Sequence, residues 1–409
     1  MILNTEEQKM HPVNTRIPGI QPTHAKVSPR RRTFDRRPLA KEFIPSLAFC
    51  RSCAVIPWLA GLLLLPGLVL AQQNTPPPAY QPAYHLEAAP ARHIRANYTF
   101  QVHIPKLTPQ EWVLFVAMPP TMAGQQDLHV SMNHDGHLDT EKSPLRRPVL
   151  AARVSAREAE EAQGITVAVT TEATLYSRKL VAGAPTGKVA ALDSEERILA
   201  LAKTPTEDFT DPAFLGWLQR SRLMRGANET DIEFAARAFL ALKHASAYLY
   251  TGPFQVRQAS KVCTALRTDC GGFAVLFVSA LRANRIPART LCGRWAKSAG
   301  ANEPMMQMHV KSEFWAEGVG WVPCDLSSAV QSDRDGNTLR YFGEDTGDFL
   351  VQHTDTDLRF DTLYFGEQGR AFVQRAAYWV RGAGTSAASQ ERETWQVEAL
   401  PLPGKAKGE

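Results

Sequence analysis

This sequence lacks the motifs that usually hold zinc or carry a redox reaction. It contains no HExxH segment, and beyond Gln72 it contains no CxxC pair, which are spacings that zinc sites use. The single CxxC, from Cys50 to Cys53, lies beside an apolar stretch and lacks the strand–helix context of a redox motif. We therefore expect neither a metal nor another cofactor.

The body of the chain also has little net charge. The formal charge of +5 arises in the first 71 residues, which hold ten Lys/Arg and four Asp/Glu, whereas residues 72–409 hold 36 basic and 37 acidic residues. Without a basic stripe interleaved with aromatic residues, we expect no nucleic acid as a partner. With 44% hydrophobic and 21% charged residues, the composition is that of a folded globular protein.

An uncharged stretch of 18 residues, Ala54–Ala71, follows the basic leader. Its length, the arginines before it and the small residues Val69 and Ala71 indicate an export signal that is cleaved before Gln72. An uncleaved membrane anchor is the alternative, since 18 apolar residues can just span a bilayer, and a buried helix is a third reading. In the first two cases the body is extracytoplasmic, either periplasmic or secreted, and contacts a membrane only through this segment.

The first part of the body has the pattern of a β domain. Residues 72–85 are rich in proline, which predicts an extended linker. Within residues 86–185, apolar side chains such as Tyr98, Phe100 and Val102 alternate with polar ones, the period of a half-buried strand. We predict a mostly β domain here, a sandwich.

Helical spacing begins near Ala190 and gives way to three strand-like pieces after residue 288. Thr230 and Glu233 have the spacing of a capping box at the start of one helix. Residues 190–383 are therefore predicted to form an α+β domain, and the polar tail over residues 384–409 is expected to be flexible.

Cys270 has the local setting of a reactive thiol. The segment Asp269-Cys270-Gly271-Gly272 precedes a helical run, so the thiol is predicted in the first helical turn, with Asp269 as the N-cap. A helix N-terminus stabilises a negative charge by only about 0.3–1 kcal/mol. That is too little to ionise a thiol near neutral pH, so a cationic partner is required.

His309 is the candidate partner, because it opens a strand-like segment that returns through a glycine-containing turn to Asp325. A hairpin centred near residue 317 places His309 opposite Asp325, and one centred at residue 318 makes them diagonal neighbours on one face. Either register lets the carboxylate hold the imidazole, the arrangement that supports nucleophilic attack on an amide.

Two segments, DCGGFAVLFVSALRANRIPAR (269–289) and HVKSEFWAEGVGWVPCDLSSA (309–329), resemble the bacterial transglutaminase-like superfamily. The resemblance implies a papain-like core of helices and antiparallel sheet with a Cys-His-Asp triad, which falls here on Cys270, His309 and Asp325. The sequence departs from the family pattern at three positions near these residues, Thr268, Lys311 and Leu326.

The resemblance further implies a thiol enzyme that acts on a peptide or protein amide through a thioester, as a peptidase, amidase or transamidase. The alternative is a catalytically silent binding or assembly module with the same fold, because a fold does not guarantee chemistry. Of the remaining cysteines in the body, Cys263, Cys292 and Cys324 could supply one disulfide in an oxidising compartment.

Overall fold

The computed structural model describes residues 83–158, 164–184, 187–300, 307–385 and 388–403. The predicted signal or anchor at Ala54–Ala71, the pair Cys50 and Cys53, and most of the proline-rich linker lie outside these residues. Within the described ranges, no helix has both the length and the apolar character needed to cross a membrane.

Seventeen strands and six helices follow one another along the described residues. The strands are β1 Tyr84–His103, β2 Leu107–Ala117, β3 Gln125–Met132, β4 His137–Thr140, β5 Pro148–Ser155, β6 Gly164–Ala182, β7 Ala247–Tyr248, β8 Arg267–Thr268, β9 Ala288–Trp295, β10 Met308–Ala316, β11 Gly320–Cys324, β12 Glu344–Asp345, β13 Phe349–Thr354, β14 Leu358–Asp361, β15 Glu367–Arg370, β16 Ala377–Gly384 and β17 Gln390–Leu400. The helices are α1 Ser194–Ala200, α2 Pro212–Arg220, α3 Asp231–Ala245, α4 Ala259–Ala265, α5 Cys270–Ala283 and α6 Leu326–Ser332.

The N-terminal region is a sandwich of two antiparallel sheets, which confirms the predicted fold class. One sheet has the order β12-β6-β1-β17 with β3 also paired to β6, and the other has the order β16-β2-β5-β4. The inner faces share one core, in which the alternating residues Tyr98, Phe100 and Val102 of β1 are buried with Trp112 of β2 and Trp395 of β17. The period-2 pattern thus buries one face of each strand.

The last strands of the chain complete this sandwich. β17 pairs with β1 along its length, from His93 opposite Leu400 to His103 opposite Gln390, and β16 pairs with β2. The expectation of a flexible tail over residues 384–409 is therefore wrong for β17. The tail looks polar because one of the two buried side chains of β17 is Glu393, which pairs with Arg294 at 3.1 Å.

Between the sandwich strands, the chain forms helices packed on a four-stranded sheet with the order β11-β10-β9-β13. The Thr230–Glu233 capping box is present at the start of α3. At the centre lies α5, in which every residue from Gly271 to Arg282 is buried, as expected for a helix that is apolar on all sides.

A buried ion cluster fixes the C-terminal end of α5. Arg282 pairs with Glu207 at 3.1 Å and with Asp355 at 2.7 Å. Its guanidinium also donates to the backbone carbonyls of Ala200 and Ala288. The helix is thus tied to the segment after α1 and to the loop after β13.

Candidate active site

Cys270 begins α5 and is partly exposed. Asp269 caps the helix, because its Oδ1 accepts a hydrogen bond from the Gly272 N–H at 3.1 Å, which confirms the predicted N-cap. The same carboxylate is held by Arg257, with Nη2 to Oδ2 at 2.5 Å. The thiol is therefore presented at a helix N-terminus by a braced turn.

The two glycines after Cys270 are required by close packing. A Cβ on Gly272 would lie 1.9 Å from the Oγ1 of Thr268, and a Cβ on Gly271 would lie 2.9 Å from the Cδ of Arg257. Thr268, one of the departures from the family pattern, therefore fills the space beside Gly272. These contacts fix the backbone that carries the thiol.

His309 and Asp325 meet across the hairpin of β10 and β11. The pairs Trp315 with Trp321 and Ser312 with Cys324 centre this hairpin on residue 318, so the second of the two registers considered above is the observed one. His309 Nε2 lies 2.8 Å from Asp325 Oδ2, and Cys270 is near enough to help raise the pKa of the imidazole. Since Nε2 takes the carboxylate, Nδ1 is left for the thiol.

The carboxylate is itself held in place by the start of α6. Asp325 is the N-cap of this helix, and it accepts hydrogen bonds from the Ser328 N–H at 2.9 Å and from the Ser328 hydroxyl at 2.8 Å. Asp325 thus directly follows β11, caps α6 and orients the imidazole of His309.

Both partners of this pair have strongly shifted pKa values. Burial lowers the pKa of His309, but the charge of Asp325, the hydrogen bond to Asp325 and the nearby Cys270 outweigh it and raise the pKa to about 10. Burial raises the pKa of Asp325, but His309 and Lys311 outweigh it and lower the pKa to about 2. At neutral pH the pair is therefore an imidazolium beside a carboxylate.

Residues 219–326 match the family model described as the transglutaminase-like superfamily. The resemblance to this superfamily is confirmed. A comparison with curated proteins found no match.

The solved structures that are similar to this chain include the following two. The Cytophaga hutchinsonii protein described as "a Putative Cysteine Protease" is 12% identical, with 76% of this chain and 100% of that chain covered and a TM-score of 0.44. The periplasmic domain of TgpA from Pseudomonas aeruginosa is 13% identical, with 58% of this chain and 91% of that chain covered and a TM-score of 0.30. At TM-scores below 0.5, neither likeness bears on the activity of this chain.

Two aromatic residues position the imidazole of the transglutaminase-like site. The ring of Trp295 stacks on His309 with centroids 4.6 Å apart, and Phe349 meets His309 edge to face at 5.9 Å. Neither residue was identified from the sequence, because Trp295 ends β9 and Phe349 begins β13, and only the sheet order brings them beside β10.

Lys311 lies behind the imidazole as a buried charge. Its Nζ lies 4.6 Å from the centroid of Trp295 and 4.9 Å from that of Phe349. It is also 3.6 Å from Asp345 Oδ1 and 3.8 Å from Asp348 Oδ1. This lysine, the second departure from the family pattern, therefore packs behind the site between two rings and two carboxylates.

Gln374 supports the strand that carries His309. Its Nε2 donates to the His309 carbonyl at 2.8 Å and to the Gly293 carbonyl at 2.7 Å. Gln374 lies just before β16, so the segment that leads back into the sandwich forms one wall of the site. The sequence offered no signal for this role, because a glutamine in a loop matches no motif.

A cleft of about 440 Å³ opens over the thiol and the imidazole. Its lining includes Tyr248, Tyr250 and Pro253 from the segment after α3, and Phe372 and Gln374 from the segment before β16. The volume is within the range of small-molecule and peptide side-chain pockets.

Proposed function

We propose that this chain is a thiol enzyme acting on amide bonds, in which Cys270 is the nucleophile, His309 the acid and base, and Asp325 the residue that orients His309. One observation carries the proposal. The His309 imidazole is hydrogen-bonded to the Asp325 carboxylate at 2.8 Å and lines one open cleft together with the helix-terminal thiol of Cys270.

The first half of the reaction forms a thioester. The Cys270 sulfur attacks the amide carbon, and the carbonyl electrons move to oxygen, where the unpaired backbone N–H of Cys270 at the start of α5 can stabilise them. His309 then gives its proton to the departing nitrogen, the carbon–nitrogen bond breaks, and an amine leaves. Asp325 keeps the imidazole in the orientation needed for this transfer.

The second half returns the enzyme to its starting state. Water or an amine attacks the thioester carbon, His309 removes a proton from this nucleophile, and the thiolate leaves as the sulfur–carbon bond breaks. Water gives a carboxylate and an amine gives a new amide, so hydrolysis and transamidation share the same intermediate.

The proposed compartment is extracytoplasmic, either periplasmic or secreted. It rests on the basic leader and the uncharged segment Ala54–Ala71, which lie outside the described residues. Cleavage of that segment leaves a free body, and its retention leaves a membrane-anchored one.

The decisive measurement is the pH dependence of iodoacetamide labelling, mapped by mass spectrometry and repeated with His309→Ala. An ordinary thiol is less than 1% ionised at pH 6. We therefore expect fast labelling of Cys270 near pH 6 and a loss of about 100-fold in the variant. His129→Ala, at an exposed histidine on β3, should label like the unmodified protein.

The opposite result would favour the silent binding module. If Cys270 labels only above about pH 8, where ordinary thiols ionise, and if His309→Ala changes nothing, no activated thiol is present. With an activated thiol, the Cys270→Ala variant should fold normally and lose all turnover of amide substrates.

A further inference from the structure

A dense group of exposed apolar side chains begins at the cleft, where Tyr248 and Tyr250 line it, and continues along the following loop. We call this set, Tyr248, Leu249, Tyr250, Phe254 and Val256, the apolar rim. Its members are between 38% and 63% exposed, and they make up five of the twelve large hydrophobic side chains that are exposed among the described residues. All five lie within nine consecutive positions, so they are not the scattered surface residues found on any protein.

The apolar rim is continuous with the cleft that holds the thiol. Tyr248 and Tyr250 line the cleft together with Cys270 and His309. Tyr248 is paired directly with Thr268 in the short β7–β8 ladder, two residues before the thiol. A molecule bound in the cleft at Cys270 can therefore contact Tyr248 and Tyr250.

Hydrogen bonds hold the rim in its exposed form. The Leu249 N–H donates to the Thr268 carbonyl at 2.8 Å. Gln255 closes the loop, because its Nε2 donates to the Leu249 carbonyl at 3.0 Å and its Oε1 accepts from the Thr251 N–H at 2.8 Å. Rigid apolar side chains bind a partner at a lower cost in conformational entropy than mobile ones.

The charges around the rim do not favour an acidic or a basic partner. The sequence from Ser246 to Val256 contains no charged residue. The two arginines that line the cleft have carboxylate partners, since Arg257 pairs with Asp269 and Arg375 pairs with Glu391 at 2.9 Å.

We propose that the apolar rim is a substrate-binding surface for an extended polypeptide that carries aromatic or aliphatic side chains near the amide presented to Cys270. This inference rests on the proposed function for the role of Cys270, but the binding it describes can be measured without turnover. Aromatic side chains, tyrosine and phenylalanine among them, are enriched at the cores of binding interfaces. A membrane surface is the competing partner for exposed aromatic residues.

The experiment uses the full chain with Cys270→Ala, so that no bound peptide is consumed. Fluorescence anisotropy compares two fluorescein-labelled decapeptides, Gly-Ser-Gly-Leu-Phe-Gln-Leu-Gly-Ser-Gly and the same peptide with its Leu and Phe residues replaced by Asn. We expect the apolar peptide to bind at least tenfold more tightly. Adding Phe254→Ser or Tyr250→Ser should weaken it at least fivefold.

The control is Leu138→Ser, at an equally exposed apolar residue on β4 of the sandwich, which should leave both affinities unchanged. Equal affinity for the two peptides, or equal effects of Phe254→Ser and Leu138→Ser, would overturn the proposal. The proposal would also be overturned if the two peptides bound equally well and the protein sedimented with vesicles of phosphatidylethanolamine and phosphatidylglycerol, with less sedimentation for Phe254→Ser.

The outcome is separable from that of the proposed function. In the chain that retains Cys270, Phe254→Ser should leave the pH profile of iodoacetamide labelling unchanged, because the side chain lies outside the thiol–imidazole pair. Peptide discrimination together with an ordinary thiol would retain the surface and reject the enzyme. An activated thiol without discrimination would do the reverse.

Discussion

The two ends of α5 carry contrasting groups of buried charge. At the C-terminal end, Arg282 is enclosed by Glu207, Asp355 and backbone carbonyls, and all three side chains are buried. At the N-terminal end, His309 and Asp325 are also buried and paired, but they lie beside the thiol of Cys270, which faces a cleft. The first group has no unsatisfied partner to offer a ligand, whereas the second presents a reactive atom.

This difference indicates that the two ends of α5 have different roles, one structural and one reactive. The two ends of α5 are about 18 Å apart, because twelve residues each add about 1.5 Å. A fixed distal end holds the helix rigidly against the sheet, so that the thiol at the other end keeps its position relative to β10. Reactive groups need this kind of support from elements that do not themselves react.

The largest effect is expected from Arg282→Met, which would disrupt the ion cluster at the C-terminal end of α5 and leave the N-terminal end unchanged. Removing the arginine leaves Glu207 and Asp355 buried without their cation, so the free energy of unfolding should fall by about 3–5 kcal/mol. Urea denaturation measures this loss. The control, Arg220→Met at the exposed end of α2, should cost less than about 1 kcal/mol, and a similar small loss for Arg282→Met would contradict a structural role for the cluster.

The two ends should also respond to pH in different windows. Burial and the nearby Asp355 charge raise the pKa of Glu207 from 4.5 to about 7, although Arg282 opposes them. The folded state then binds a proton more tightly than the unfolded state does, so the associated stability is complete below pH 4.5 and is lost as the pH rises to about 7. For His309, whose pKa rises from 6.5 to about 10, the stability is complete below pH 6.5 and is lost towards pH 10.

Two variants separate these windows when unfolding is measured from pH 4 to pH 10. Glu207→Gln should abolish the decline between pH 4.5 and 7 and leave the later one, and His309→Gln should do the opposite. At about 1.4 kcal/mol per pKa unit, the decline should amount to roughly 3 kcal/mol for Glu207 and roughly 5 kcal/mol for His309. Identical pH profiles for the two variants would show that the clusters are not independent.

The smallest effect is expected from Lys311→Met. This variant removes the positive charge behind the His309 imidazole but fills the same space between Trp295 and Phe349. Lys311 helps to lower the pKa of Asp325, so its removal should raise that pKa. The pH below which Cys270 alkylation slows should then rise by about half to one unit. The control is Lys203→Met, at a lysine whose ion pair is exposed, which should leave this pH unchanged. An unchanged pH in Lys311→Met would refute the electrostatic coupling.

The parts of this site that were predictable depend on short-range order. The helix that starts at Cys270, the cap at Asp269 and the hairpin between His309 and Asp325 each follow from patterns within about 20 residues. The hairpin sequence alone left two registers open, and the strand pairing shows the one centred on residue 318.

The parts that were not predictable depend on long-range pairing. Trp295, Phe349 and Gln374 are brought to His309 by strand order in the sheet and by the return of the chain to the sandwich. β17 was missed because Glu393 is buried only by virtue of its partner Arg294, which lies about 100 residues earlier. Local periodicity cannot report a charge that is neutralised by so distant a residue.

The pairing of β1 with β17 has a consequence for the order in which this protein can acquire its structure. Ile94 lies opposite Ala399, about 300 residues away, so the central strand of the sandwich lacks one neighbour until that distant segment has been synthesised. Contacts at such separations slow folding, because the chain must close a long loop before they form. Gln374 lies just before β16, one of the same late strands, so a partly synthesised chain should display the thiol without the Phe372 and Gln374 part of the cleft.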